Sequence, residues 1–85
     1  MNILEKVDHL TSTKSNIFQL ELNARQFAES LGQHADELQA VANGSATGEG
    51  AVRLIREAIS PLQDMERIMV DAQQSIENYI QRIKS

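Results

Sequence analysis

Residues 43–51 read "NGSATGEGA". They hold three of the chain's four glycines and stand near the midpoint of its 85 residues. Such a stretch either cradles phosphate or turns the chain round. A Walker-type phosphate loop needs G-x-x-x-x-G-K-[ST] after a strand, with Lys on the phosphates and Ser/Thr on the metal. Here Gly44 is followed by Gly48 with no Lys near, a helical pattern precedes it, and Glu49 repels an anion. The stretch reads as a turn over 43–50, with Asn43 or Gly44 ending one helix and Thr47 capping the next.

Both sides of the turn carry a heptad. Before it, Ile3, Leu10, Ile17, Ala24, Leu31 and Leu38 recur every seventh residue, and all are apolar. Four residues beyond each stand Val7, Lys14, Glu21, Ala28, Ala35 and Ala42, with Lys14 and Glu21 as the polar members. This pattern predicts one helix over about 3–42, ~60 Å long at 1.5 Å per residue. After the turn, Ile55, Leu62, Met69, Ile76 and Ile83 form one row and Ala51, Ala58, Met65, Ala72 and Tyr79 a second. A helix over about 50–84 follows, with Glu49 near its start and Arg82 and Lys84 near its end, as the helix dipole favours.

Folding the chain at the glycines pairs residues whose numbers total 93. Leu38 then meets Ile55, Leu31 meets Leu62, Ala24 meets Met69 and Ile17 meets Ile76. The same register sets Ala35 against Ala58, Ala28 against Met65, Glu21 against Ala72 and Lys14 against Tyr79. The expected fold is all-α, one domain over 1–85, an antiparallel two-helix hairpin of coiled-coil type. Pro61 removes a hydrogen bond from the second helix. "SPLQ" reads as a restart with Ser60 as N-cap, so a kink is expected near 60–61, opposite Gly32.

A two-helix seam uses two rows per helix, and this chain has more apolar residues than that. Leu20, Phe27, Val41, Leu54 and Ile68 line one flank; Leu4, Phe18, Val52, Ile59 and Ile80 line the other. A stripe this wide belongs to a helix with two neighbours, as in a four-helix bundle. A partner is therefore expected, either a second copy or another helical protein.

Composition narrows the function classes. Net charge is -4, with acids and bases mixed along the chain. Nucleic-acid binders cluster Lys and Arg, so no nucleic acid is expected. No apolar run is long enough to span a membrane. There is no Cys, hence no disulfide and no thiolate metal site. His34, Asp36 and Glu37 resemble a ligand cluster, but no carboxylate faces them from the other arm, and a solvated helix edge is the expectation. His9 beside Asp8 is placed on the surface. The serines have no base at usable spacing, so neither enzyme chemistry nor a cofactor is expected. Tyr79 is expected to cap the seam with its hydroxyl in water.

A small acidic hairpin without Cys, turning on small residues at its centre, resembles the type VII secretion substrates of the Trp-Xaa-Gly family. It is more similar to the small helical partners encoded with Leu-Xaa-Gly toxins of Gram-positive bacteria. "NGSATGEGA" occupies the place of the Trp-Xaa-Gly turn and has no Trp. The family's export signal is an aromatic residue followed four positions on by Asp or Glu. Phe18 is followed by Leu22, Phe27 by Leu31 and Tyr79 by Ile83. The resemblance implies an accessory targeting or chaperone role. The hairpin would bind the helical N-terminal region of a larger toxin, or another small helical protein, which supplies the signal. The flank of Leu20, Phe27, Val41, Leu54 and Ile68 is the contact that the resemblance implies. It implies a cytoplasmic chain before export, leaving with its partner; the N-terminus "MNILEKVDHL" lacks the basic start and apolar block of a cleaved signal peptide. The competing expectations are a self-assembling homodimeric bundle with no export role and a needle subunit of another secretion system.

Overall fold

The computed structural model describes residues 1–85. It contains three helical segments and no strand: α1 (Ile3–Ala42), α2 (Ala46–Glu57) and α3 (Ile59–Lys84). α2 and α3 run on as one slightly bent arm, antiparallel to α1. The result is an all-α helical hairpin, a rod of 63 × 14 × 14 Å.

The turn is shorter than the glycine run suggested. Only Asn43, Gly44 and Ser45 lie outside helix. Gly44 takes φ +90°, a left-handed conformation that costs a side-chain-bearing residue about 1–2 kcal/mol. Ser45, not Thr47, is the N-cap of α2. Its Oγ accepts from the Gly48 N–H at 3.1 Å, and Glu49 Oε1 accepts from the Gly44 N–H at 3.3 Å. The first satisfies a donor that a bare helix start leaves open, and the second ties the Glu49 side chain back onto the turn. Thr47 falls inside the first turn.

Gly48 is needed for a different reason. A Cβ there would collide with the Ala42 methyl group, so the α2 backbone packs directly on the end of α1 at the turn. At Gly50 an added Cβ meets only an Arg53 guanidinium nitrogen at 4.0 Å. Two Gly→Ala substitutions two residues apart are therefore expected to act in opposite directions. Gly48→Ala should destabilise by about 1–3 kcal/mol through overpacking. Gly50→Ala should stabilise by roughly 0.5–1 kcal/mol through helix propensity. Thermal unfolding followed by circular dichroism reads both signs, and equal signs would refute the close approach.

The bend in the second arm falls at Ala58, two residues before the expected site. Ala58 has φ -76° and ψ -15°, and its N–H bonds back to the Ile55 carbonyl at 3.1 Å. Pro61 is then the third residue of α3, inside the first turn, where a missing N–H is tolerated. Ser60 is helical and is not an N-cap; α3 has no side-chain cap. Loosening the chain at Ala58 relieves the proline ring's clash with the Glu57 carbonyl. α1 continues as helix through Gly32. The side chain nearest Gly32 is that of Ile59, at 4.0 Å from a built Cβ, rather than Pro61.

The core is thin. Six of the 85 residues are buried: Glu21, Ala24, Ala28, Ala35, Val52 and Ile80. On α1 most half-buried positions join these in the two expected rows; Leu22, Ser30 and Gly32 are half-buried beside them, and Ile3 is exposed. On the second arm one row stands as expected, half-buried at Ile55, Leu62, Met69, Ile76 and Ile83. The other does not. Val52, Ile59, Glu66, Gln73 and Ile80 fill the seam, while Ala58, Met65 and Tyr79, expected there, are exposed. The second row is displaced by one residue. Glu21 accordingly meets Gln73 and not Ala72, while Lys14 reaches Glu77, next to Ile76 of the other row, and not Tyr79.

Candidate interaction face

The displaced row gives the rod two unlike faces. Three ion pairs cross between the arms: Lys14–Glu77 at 2.9 Å, Arg25–Glu66 at 2.8 Å and Arg56–Asp36 at 2.8 Å. Arg56 also donates to Gln39 Oε1 at 2.8 Å. Arg25 and Gln39 each follow a seam residue on α1 (Ala24, Leu38); Arg56 and Glu77 each follow one on the second arm (Ile55, Ile76). Residues that follow these rows thus share one face of the hairpin; it carries the cross-arm ion pairs, with Leu4, Phe18 and Val70 as its exposed apolar members. The largest surface depression opens on it, lined by Gln39, Glu49, Val52, Arg53, Arg56 and Glu57. The Glu77 carboxyl is held below its ordinary value, first by the hydrogen bond from Lys14 and then by one from Gln81. The Arg25 guanidinium is held above its ordinary value, chiefly by its hydrogen bond to Glu66.

Glu21 anchors this face to the seam. It is 5 % exposed, yet its carboxylate is satisfied: Oε1 accepts from Gln73 Nε2 at 2.7 Å and Oε2 from Arg25 at 2.9 Å. No buried side-chain nitrogen or oxygen lacks a partner. A buried charge is tolerable on those terms alone.

The opposite face is built by residues that precede the same rows. On α1 these are Leu20, Phe27 and Val41, before Glu21, Ala28 and Ala42. On the second arm they are Ala51, Ala58, Met65, Ala72 and Tyr79, with Leu54 and Ile68 next to them further round the helix. Leu20, Phe27, Val41, Leu54 and Ile68, the sequence-derived contact, are all exposed, by 56 to 87 %. They lie along one side of the rod, and Met65 and Tyr79 belong with them. No ion pair crosses between the arms on this side. The other apolar flank dissolves: Val52 and Ile80 are buried and Ile59 half-buried in the seam, leaving only Leu4 and Phe18 exposed.

His34 also lies on the apolar side, between Phe27 and Val41 along α1. Its Nδ1 is 3.4 Å from Glu37 Oε2, and both side chains are well exposed. Asp36 points away to Arg56, so the three do not converge. No group of three His, Asp or Glu side chains comes together where a metal ion could be held. No helix is long and apolar enough to cross a membrane. Compared with protein-family models, curated proteins and solved structures, the chain finds no match.

Proposed function

We propose that this chain is a non-enzymatic interaction module whose apolar face docks a helical partner to complete a four-helix bundle. The observation that carries this is the segregation of the surface: cross-arm ion pairs on one face, seven large apolar side chains on the other. Monomer surfaces scatter such residues singly, and a contiguous patch rimmed by polar groups is the mark of an interface. The thin core argues the same way. With six buried residues and no large side chain fully enclosed, the hairpin gains little from its own seam. A second layer on the apolar face would turn half-covered helices into bundle helices with two neighbours.

Among proteins of this shape, the reading favours an accessory targeting or chaperone partner of a type VII secretion toxin, or of another small substrate of that route. Its support is the long hairpin, the central small-residue turn and the absence from this chain of the aromatic-to-acid export spacing. A partner would then contribute that signal. The mechanism is helix-on-helix burial. Light scattering tests the reading. The purified chain should run as a monomer or a soft aggregate, and as a defined complex only when co-expressed with the product of a neighbouring gene. A stable dimer of the chain alone would assign the face to self-assembly instead.

A further inference from the structure

The charges around the apolar face have an order that bears on what covers it. Beyond Leu54 and Ile68 on the outer side of the second arm stand Glu57, Asp64 and Asp71, seven apart and all exposed. On α1 the row beyond Phe27 and Val41 is His9, Asn16, Asn23, Ser30 and Glu37. Antiparallel packing sets Glu57 level with Glu37 near the turn, and Asp64 and Asp71 about level with Glu29 and Leu22. Glu37, Asp64 and Asp71 therefore border the part of the face where Phe27, Val41, Leu54, Met65 and Ile68 lie, and Glu57, on the back of the second arm, lies between it and the depression on the ion-paired face. The only Lys and Arg on this side are Lys6 and Arg82, both at the open end of the hairpin. Arg67 reaches Asp64 at 3.3 Å, but from the far side of α3.

We infer that the occupant of the apolar face is a helix of another protein that is basic along its flanks and lies along α3. This rests on the docking reading above and specifies the partner's chemistry. A second copy of this chain fits the border poorly. Side by side in the same direction, two copies set carboxylate against carboxylate. Reversed, with the apolar stretches overlapped, the carboxylates meet Asn16, Asn23, Ser30 and Ser75, or Asp64 and Asp71 again. Arg82 and Lys6 then overhang the end of the apolar stretch. A flanking row of Lys or Arg at heptad spacing answers Glu57, Asp64 and Asp71 in either direction.

Two synthetic amphipathic peptides test this. Each is about 28 residues, ~42 Å as a helix, which spans the apolar stretch. Both carry the same Leu/Ala stripe; one has Lys along its flanks and the other Glu. Calorimetry at low salt should show the Lys peptide binding at least about tenfold more tightly than the Glu peptide, with the gap shrinking at high salt as screening shortens. The exposed double substitution Asp64→Lys with Asp71→Lys should reverse the preference at unchanged helicity. Phe27→Ser with Ile68→Ser, which leaves the charge alone, should abolish binding of the Lys peptide. Equal binding of the two peptides would overturn the basic partner and leave the docking face standing. A chain that is already a stable dimer and binds neither would overturn both.

Discussion

Changing Phe27 and Ile68 together to Glu should abolish association of this chain with its partner while leaving its helix content intact. Phe27 on α1 and Ile68 on α3 lie on the apolar face at 58 % and 61 % exposure, so neither holds the hairpin together. Glu is a good helix former, and an exposed helical position accepts it at little cost. Under a partner the balance is different. Covering each of the two side chains contributes about 1.5–3 kcal/mol. A carboxylate in its place adds a desolvation penalty of several kcal/mol if it stays covered and unpaired. The combined loss exceeds roughly 6 kcal/mol, or about four decades in Kd. Co-purification with the partner measures it, with far-ultraviolet circular dichroism as the control. Association that survives the double substitution would place the contact elsewhere. A loss of helicity would show that the two residues hold the hairpin itself.

The sequence carried the hairpin because that inference needs only periodicity and a break. The rows through Ala24 and Ile55 repeat without exception, and the glycines stand at the one point where both stop. The second row of the second arm was harder. Ala51, Ala58, Met65, Ala72 and Tyr79 are all apolar; Val52, Ile59, Glu66, Gln73 and Ile80 are not. Choosing the uniformly apolar row ignored that α1 already offered Lys14 and Glu21 to the same seam. Polar residues in one wall of a seam need polar residues in the other. Glu66 and Gln73, with Glu77 beside them, are those partners. The same oversight placed Met65 in the seam and Tyr79 as its cap, and so hid two members of the apolar face. The bend was misplaced for a local reason. Pro61 announces itself in sequence, but the strain it creates falls on the carbonyl four residues earlier, and the chain gives way at Ala58. At the turn, Ser45 and Thr47 are both good N-caps. Ser45 takes the role because α2 already begins at Ala46, one turn sooner than the glycine run suggested.

The polar layer makes an asymmetric pair of substitutions informative. Gln73→Leu should cost the hairpin more than Glu21→Leu, although both delete the same hydrogen bond. Without Gln73, the buried Glu21 carboxylate keeps Arg25 on Oε2 and loses its only partner on Oε1. A hydrogen bond to a charged group is worth about 1.5–3 kcal/mol, and here the acceptor stays behind in the seam. At about 4–8 °C per kcal/mol for a domain of this size, Tm should fall by roughly 10–20 °C. Without Glu21, nothing is stranded. Gln73 Nε2 still donates to the Met69 carbonyl at 3.1 Å, and Arg25 still holds Glu66. Replacing a buried charge with a well-packed apolar side chain is often neutral or stabilising. Glu21→Leu should therefore leave Tm unchanged or raise it, and the double variant should recover most of what Gln73→Leu loses. Thermal unfolding of the three variants closes the cycle. If Glu21→Leu proves the more damaging single change, Glu21 contributes net stability and is more than a satisfied charge that sets which residues face one another.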